Sequence, residues 1–532
     1  MVNESNNIVA YNNIPYAMLR KELPNNKDIT VELEEISSYY NIFEKGEKFD
    51  PEGTKGDYIP ASLRYKMSAS LIKKEARFMF AETPVIKINT KGNLGQETEE
   101  EKDAITIIQD LVDTVLTESM FDDKLLKAAK DCFIGKRVAC VVNFNEDDGI
   151  TLDFVSSLNF IYETSYSNKN KITKFVYFTI IDDNSNLSER RIYKKVYELK
   201  NNICYFEEGL YDGRGVLIEQ INEMQPTLLS RIPAVVIIND GLSNDSKGVS
   251  EVELLKDHES WFSKLNNGDI DSQRKSMNPI KYSVDMEPNT TKTLPTSAGS
   301  YWDLQSNQNI DNAHPSVGVL EPNMSYSDPL KETLARIKAS AYNELDMPDV
   351  SLETLNGIIT SGKALKAVYW PLVVRCKEKF KMWSPKLKYI IDILIEGAFA
   401  YSDISERYIS NDLIEVEYKI DIELKNPLPE DEQEEKEMDL SEVAQQTMSR
   451  KSYMKKWRQL TDDDCDQELE QIALEKEMLE GSYGMLENNN QEEDIEEQDM
   501  NDNNFNSDDT EIKQEDNQEE SNEINNEDNA NA

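Results

Sequence analysis

The sequence predicts an α+β protein in which helices flank a meander of short antiparallel strands. Two observations support this fold class. Apolar residues recur at helical spacing up to about residue 131 and again from residue 249, whereas residues 136–238 contain short strand-like runs separated by turn residues. A chain of 532 residues is also long enough to form several structural units.

Three helices are predicted in the N-terminal part of the chain, over residues 27–44, 60–82 and 101–131. In the second of them, apolar side chains return every three or four residues until Thr83-Pro84 ends the pattern. The third keeps this spacing throughout, so we expect one uninterrupted helix there.

Residues 136–238 favour strands, because β-branched and aromatic residues cluster there in short runs. Turn pairs such as Asp148-Gly149 and Asp212-Gly213 separate the runs. Strands joined by short turns pair in antiparallel fashion. The predicted strands are 138–144, 151–155, 175–181, 191–199, 203–207 and 234–238.

Two helices, at 249–275 and 329–345, bracket the proline-rich segment 278–328, which we interpret as a small turn-rich module with a few strands. Pro329 suits the first turn of the second helix. Two helices that project a small module bury little surface alone, so we expect neighbouring copies to complete them in a ring or bundle. Candidate contact residues of the first helix are Val252, Leu255, Trp261, Phe262 and Leu265.

A long helix is predicted from Ser361, its N-cap, towards Phe399. Pro371 should kink it and Pro385 should break it, because proline removes a backbone hydrogen bond and crowds the preceding turn. Residues 413–425 alternate apolar and charged side chains, which is typical of a strand with one buried face. Further helices are predicted at about 430–449, 451–458 and 462–480.

The chain is strongly acidic, with a formal net charge of −44. Residues 487–532 contain 18 acidic residues and one lysine, with only isolated apolar side chains, so we expect a disordered acidic tail. The rest of the chain remains acidic, and this excludes nucleic-acid binding through a broad basic face.

Targeting and cysteine signals predict a soluble protein that folds in a reducing, intracellular compartment. No run of about 18 apolar residues is present, and the first residues lack the basic-then-apolar order of a signal peptide. The five cysteines show no paired spacing, and the two histidines, His258 and His314, lie far apart in sequence. A zinc site built from these residue types is therefore not expected.

One motif resembles a nucleotide site. Gly357–Lys363 follows the phosphate-binding pattern, but Ala364 stands where a hydroxyl residue should hold Mg²⁺. The apolar run at 234–238, followed by Asp240, only faintly matches the strand that would carry a Mg²⁺-binding acid. Asp462–Asp464 is better explained as a helix N-terminus than as a metal site. We therefore predict no enzyme, no catalytic residue, no metal and no cofactor, and keep a nucleotide hydrolase as the weaker alternative.

Three stretches, taken in order, resemble the portal proteins of tailed double-stranded DNA bacteriophages. The first runs from Ser62–Met67 to Phe80–Ile86, a helix that leads into an E-x-P strand. The second is Thr360–Lys366 with Trp370-Pro371-Leu372 and Cys376-Lys377, and the third is Asn426–Asp431 after the alternating strand. The resemblance covers about residues 15 to 480.

The resemblance implies a ring subunit made of a wing of helices and antiparallel strands, a two-helix stem, a small clip, a helical crown and the acidic tail. On this chain the wing is 1–248 and 361–426, the stem helices are 249–275 and 328–345, the clip is 276–327, the tunnel loop is 346–360, the crown is 427–485 and the disordered tail is 486–532.

The implied function is a dodecameric head–tail connector at one capsid vertex, through which DNA enters during packaging and leaves during ejection. Implied partners are other copies of the chain, double-stranded DNA, the terminase large subunit, a head-completion or tail adaptor protein, and the major capsid and scaffolding proteins, with no membrane. Assembly is expected in the bacterial cytoplasm, and the terminase supplies ATP hydrolysis. An acidic scaffold or adaptor without a DNA channel is the runner-up.

The resemblance also implies which residues face DNA. The tunnel-loop candidates are Asp346, Asp349, Val350, Leu352, Leu355, Ile358 and Thr360. Candidates for cationic rings are Lys256, Lys264 and Lys275 in the stem and Lys281 and Lys292 in the clip. Salt bridges between subunits are an equally plain interpretation of those lysines.

Overall fold

The computed structural model describes most of the chain between residues 14 and 475. The described residues are 14–24, 28–48, 59–91, 98–145, 149–182, 184, 186–242, 247–277, 280–286, 306–307, 309, 311–312, 314–320, 324–349, 362–402, 416–425, 432–458, 460–461 and 464–475. They fall into two compact units, Met1–Asp431 and Glu432–Ala532. The predicted acidic tail, 486–532, lies outside the described residues.

The first unit opens with helices α1 (Tyr16–Glu22), α2 (Ile29–Lys45) and α3 (Met67–Phe80). The prediction of helix from residue 60 is wrong for 60–66, which lie outside any helix or strand. Their backbone groups are bound by side chains of a later helix, described below, so an intrahelical ladder does not form.

Helices α4 (Glu99–Glu118) and α5 (Phe121–Gly135) replace the single helix predicted over 101–131. The break lies at Met120, whose φ of 50° is left-handed and cannot continue a right-handed helix. At the other end of α4, Thr98 and Glu101 form a reciprocal capping box.

Two antiparallel sheets follow, as predicted. One has the order β3-β2-β9, with β2 at Arg137–Asn145, β3 at Gly149–Ser156 and β9 at Ala234–Ile238. The other has the order β4-β5-β6-β7-β8, with strands Phe160–Thr164, Ile172–Asp182, Arg191–Lys200, Ile203–Tyr211 and Leu217–Pro226.

The sequence prediction missed β4 and β8. Strand β4 spans five residues, and both Phe160 and Ile161 are buried, so it shows no alternation. Strand β8 is an edge strand with most of its residues exposed, which leaves no apolar periodicity to detect.

Two distant segments of the chain pair as β1 (Val85–Thr90) and β12 (Tyr418–Glu423). Ile86 lies opposite Ile422, and Ile88 lies opposite Ile420, so the buried side chains of both strands share one face. The predicted strand at 413–425 is thus confirmed over 418–423, while 413–415 lie outside the described residues.

Helix α6 (Glu251–Met277) and helix α7 (Ser327–Glu344) bracket a two-stranded antiparallel hairpin, as the sequence predicted. The strands are β10 (Ile280–Val284) and β11 (Ser316–Leu320), and a 3₁₀ turn at Met324–Tyr326 leads into α7. The hairpin therefore closes one end of the helix pair.

Helix α8 spans Gly362–Ala400 and contains both Pro371 and Pro385. The predicted break at Pro385 is wrong, because the helix continues for 15 residues beyond it on apolar side chains that are buried in the core, such as Leu387, Ile390 and Leu394. Core burial outweighs the single hydrogen bond that proline removes. The predicted N-cap, Ser361, lies outside the described residues.

The second unit contains helices α9 (Glu432–Ala444), α10 (Arg450–Arg458) and α11 (464–475), close to the three predicted there. Asp439 accepts a hydrogen bond from Trp457 Nε1 at 2.7 Å, and Lys451 pairs with Asp466 at 2.7 Å. None of the helices in the described ranges is long and apolar enough to cross a membrane.

Candidate functional site: the helix pair and its buried ion cluster

Helices α6 and α7 form an antiparallel pair, called here the helix pair. His258 Nε2 lies 3.0 Å from Ser340 Oγ, and Tyr326 donates a hydrogen bond to Asp269 at 3.2 Å. With a rise of 1.5 Å per residue, the 27 residues of α6 extend about 40 Å. The pair is long enough to carry the β10–β11 hairpin well away from the sheets of its own unit.

The inner face of α6 binds residues 59–66, called here the strap, through polar side chains. Asn267 both accepts from the N–H and donates to the carbonyl of Leu63, at 2.8 Å each. Asp271 accepts from the N–H of Ala61 at 2.9 Å. Backbone groups outside regular structure need such partners when they are covered. Because these bonds occupy backbone groups of the strap, residues 60–66 do not join α3.

Glu259 extends this binding surface beyond the strap. Its carboxylate accepts from the N–H of Glu47 at 3.0 Å and from both the N–H and the hydroxyl of Ser68, at 2.8 and 2.5 Å. The side chain is fully buried. Glu259 therefore fixes the first turn of α3 against the middle of α6.

At the base of the helix pair lies a buried group of four charges, called here the ion cluster. It joins Glu75 of α3, Glu251 of α6, and Arg375 and Lys379 of α8. Arg375 lies 2.8 Å from Glu75 and 3.2 Å from Glu251, and Lys379 lies 2.8 Å from Glu75 and also contacts Glu251. The ion cluster thus ties three helices together at one point.

The ion cluster contains two acids and two bases, and the side chains of Glu75 and Glu251 are 0% and 1% exposed. Burial alone would lower the pKa of Arg375, but the nearby Glu75 carboxylate raises it above its ordinary value. Lys379 also lies over the ring of Phe133, at 3.8 Å. Removing one member would leave an uncompensated buried charge.

The start of the predicted tunnel loop is anchored to this base. Asp346, with a left-handed φ of 51°, lies 3.8 Å from Arg375, and Asp349 pairs with Lys338 at 2.8 Å. The hydrogen bond to Asp349 raises the pKa of Lys338. Between them Met347 is buried. The remaining tunnel-loop candidates lie outside the described residues: Val350, Leu352, Leu355, Ile358 and Thr360.

The structure spreads the candidate lysines along α6 and does not bring them together within one subunit. Lys256 and Lys264 are about 12 Å apart along the helix axis, and Lys264 and Lys275 about 16 Å. Lys264 lies over the Trp261 ring at 4.9 Å. Lys281 lies in β10, whose backbone alone is described there, and Lys292 lies outside the described residues.

Lys256 already faces acids of its own chain. Burial would raise the pKa of Glu35, but hydrogen bonds from Tyr39 and Lys136, with the charges of Lys136 and Lys256, hold it below its ordinary value. The charge of Lys256 therefore acts on an acid of its own subunit.

Sequence reasoning named Trp261 and Lys264 but missed the exposed outer face of α6 to which they belong, which consists of Asp257, Trp261, Lys264 and Gly268. All four are exposed, and they recur at intervals of four, three and four residues, which places them along one side of a helix. Trp261 was expected to be a contact residue, yet it is 58% exposed within the subunit. Their helical spacing places these residues on one side of α6, but only the packing of the helix shows that this side is exposed.

The alternative nucleotide site gains no support. Most of the Gly357–Lys363 loop lies outside the described residues, and Lys363 falls in the first turn of α8. The strand that would carry a Mg²⁺-binding acid, β9, lies at the edge of an antiparallel sheet. Within the described ranges, no group of three or more His, Cys, Asp or Glu side chains could hold a metal ion.

Comparison with known families decides the identity of this architecture. The sequence model described as "Phage portal protein, SPP1 Gp6-like" matches residues 25–482, most of the chain. The chain belongs to the phage portal protein family. The resemblance found in the sequence is thereby confirmed. A search of curated proteins finds no match.

Membership assigns the portal chain its general role. It is a structural protein of the bacteriophage capsid, with roles in genome packaging and head–tail connection. The family implies an oligomeric ring that is associated with capsid and DNA, at a vertex of the virion capsid.

Proposed function

We propose that about 12 copies of this chain form a closed ring at one capsid vertex, and that the ring is the channel for DNA entry during packaging and DNA exit during ejection. The observation that carries this proposal is the helix pair, closed at one end by the β10–β11 hairpin, in a chain of the portal family. Such a projecting pair needs neighbours to complete it.

The proposed division of the chain follows the predicted one. In it, α6 and α7 belong to the stem, the segment between them is the clip, and the helices after residue 427 form the crown. The clip would dock the terminase large subunit during packaging and the adaptor protein afterwards, while the wing, 1–248 and 361–426, would face capsid and scaffolding proteins. Assembly would take place in the bacterial cytoplasm.

Charge supports a passive conduit. Each subunit carries a formal charge of −44, so a ring repels a sliding polyanion from most of its surface. Because DNA adheres weakly to such a ring, it can move through the channel in either direction. A separate motor supplies the force for packaging. The proposed gate is the tunnel loop, 346–360, whose first residues are anchored by Arg375 and Lys338.

The test is complementation in a phage that lacks this gene. We expect infected cells to accumulate heads without DNA, and the wild-type gene supplied in trans to restore DNA-filled heads. Loss of the heads themselves, with no specific loss of DNA, would favour the acidic scaffold alternative and contradict the proposal.

A second variant tests the gate. Deleting residues 350–358 should leave ring assembly intact, because the anchors at Asp346 and Asp349 remain, but should reduce the amount of DNA retained per head. Normal assembly together with normal packaging would remove the tunnel loop from the mechanism.

A further inference from the structure

The outer face of α6 has the composition of a protein–protein contact surface, yet no other element of the described chain covers it. Trp261 is 58% exposed, and its ring carries the Lys264 ammonium at 4.9 Å. Within the described residues Lys264 makes no ion pair. Tryptophan is enriched at the centres of protein interfaces, where it contributes a large rigid surface.

Gly268 adds an independent observation on the same face. Glycine is disfavoured inside helices relative to alanine because of its backbone freedom. A Cβ at this position would meet no described atom within 4 Å, so nothing in the described part of the subunit requires a glycine. A second chain that packs closely against α6 at this position would require a glycine there.

Helix α7 presents a complementary outer face, which consists of Asp328, Glu332, Ala335 and Ala339. These residues are exposed and follow the same intervals of four, three and four. Glu332 makes no ion pair with any described residue, and the two alanines leave room for a large side chain. The outer face of α6 thus carries a large aromatic side chain and a lysine, and the outer face of α7 carries two small side chains and a glutamate.

Rotational symmetry sets which positions can meet. If the ring axis is parallel to the helix pair, rotation about it does not move any residue along the axis. A residue of α6 therefore meets those residues of the neighbour's α7 that lie at the same position along the axis as they do within one subunit. The bonds His258–Ser340 and Asp269–Tyr326 fix those positions. With a rise of 1.5 Å per residue from those two bonds, Trp261 lies at the same axial position as Ala335–Arg336, and Lys264 at the same axial position as Glu332–Thr333.

We propose that the outer face of α6 docks on the outer face of α7 of a neighbouring copy, with Trp261 over Ala335 and Lys264 paired with Glu332. The contact is heterologous, so repetition closes a ring. This inference rests on the proposed ring with the helix pair along its axis. The DNA duplex is the less suitable occupant, because Asp257, Asp328 and Glu332 would repel phosphates.

Charge reversal tests the contact. Lys264→Glu and Glu332→Lys should each reduce the fraction of full-length chain in closed rings at least tenfold, measured by native mass, while the double variant restores it. Gly268→Leu should also block ring closure although its subunit melts no lower than wild type, because leucine favours helix. Gln273→Leu, an exposed site on another side of α6, is the matched control and should assemble normally.

The outcomes separate the two proposals. If wild-type chain forms no ring, the proposed function fails. The proposed interface is wrong if wild type and both single charge variants form rings equally well. It is also wrong if the double variant assembles no better than the single variants. In either case the proposed ring is not contradicted. Normal rings whose DNA retention changes in the Lys264→Glu variant would assign the face to the channel and overturn the contact.

Discussion

The two faces of α6 show the opposite of the usual arrangement, in which polar side chains are exposed and large apolar side chains are buried. The inner face buries Glu251, Glu259 and Asn267 to 1% exposure or less, whereas the outer face leaves Trp261 58% exposed. Asn267 is bound by the strap, Glu259 by Glu47 and Ser68, and Glu251 by the bases of the ion cluster. Polar contacts on the inner face hold the subunit together, and the exposed tryptophan of the outer face remains for assembly.

The largest effect is expected at the ion cluster. Glu251→Gln removes one of two buried anions and leaves Arg375 and Lys379 with an uncompensated positive charge. The free energy of unfolding should fall by about 3–5 kcal/mol. Denaturant unfolding of the subunit measures this, with Asp257→Asn as the control, since Asp257 is an exposed acid of the same helix that makes no ion pair with a described residue.

That control should change the free energy of unfolding by less than about 0.5 kcal/mol. If the two variants unfold at the same denaturant concentration as wild type, the inner face does not depend on its buried charges, and the contrast between the faces fails.

A smaller effect is expected where the inner face binds backbone. Glu259→Ala removes the acceptor for the N–H groups of Glu47 and Ser68 and should cost about 1–3 kcal/mol, because those donors become unsatisfied. Hydrogen exchange should accelerate in the residues around Ser68 and in the adjoining strap. Unchanged protection there would show that Glu259 does not hold these segments.

Asp131 of α5 offers a contrast to the ion cluster, since it is a covered carboxylate that pairs with no buried cation among the described residues. Its hydrogen-bond donor is the Tyr40 hydroxyl, at 3.0 Å. Burial raises its pKa from 3.8 to about 6, although the bond from Tyr40 opposes this. The folded state therefore binds more protons than the unfolded state between those two pH values.

Stability contributed by protonated Asp131 is complete below pH 3.8 and is lost as the pH rises through about 6. Asp131→Asn should raise the free energy of unfolding by about 1–2 kcal/mol at pH 8 and leave it unchanged at pH 3.5. Thermal unfolding at both pH values measures this. An equal effect at the two pH values would contradict the role of its ionisation.

Much of the fold was predictable because its signals are local. Alternation in 418–423 and helical spacing in 251–277 were visible in the residues themselves. The helix break at Met120 was not, because a left-handed methionine leaves no mark on apolar spacing. Strand β8 was missed because an exposed edge strand needs no apolar face.

The candidate site was only partly predictable, since its main features depend on long-range contacts. The ion cluster joins residues that are up to 304 positions apart, Glu75 and Lys379, among 102 acidic residues in the sequence. The strap stays outside the helix because its backbone is bound by side chains about 200 residues away, such as Asn267. Trp261 has ordinary helical spacing, and its exposure is known only when the packing of α6 is known.

The most direct test of the account is the native mass of this chain released from purified phage heads, with images of the same particle. We expect one closed ring with a central opening and a mass near 12 times the subunit mass of 61.1 kDa. Heads that yield only 61.1 kDa subunits, or open chains of variable length, would contradict it.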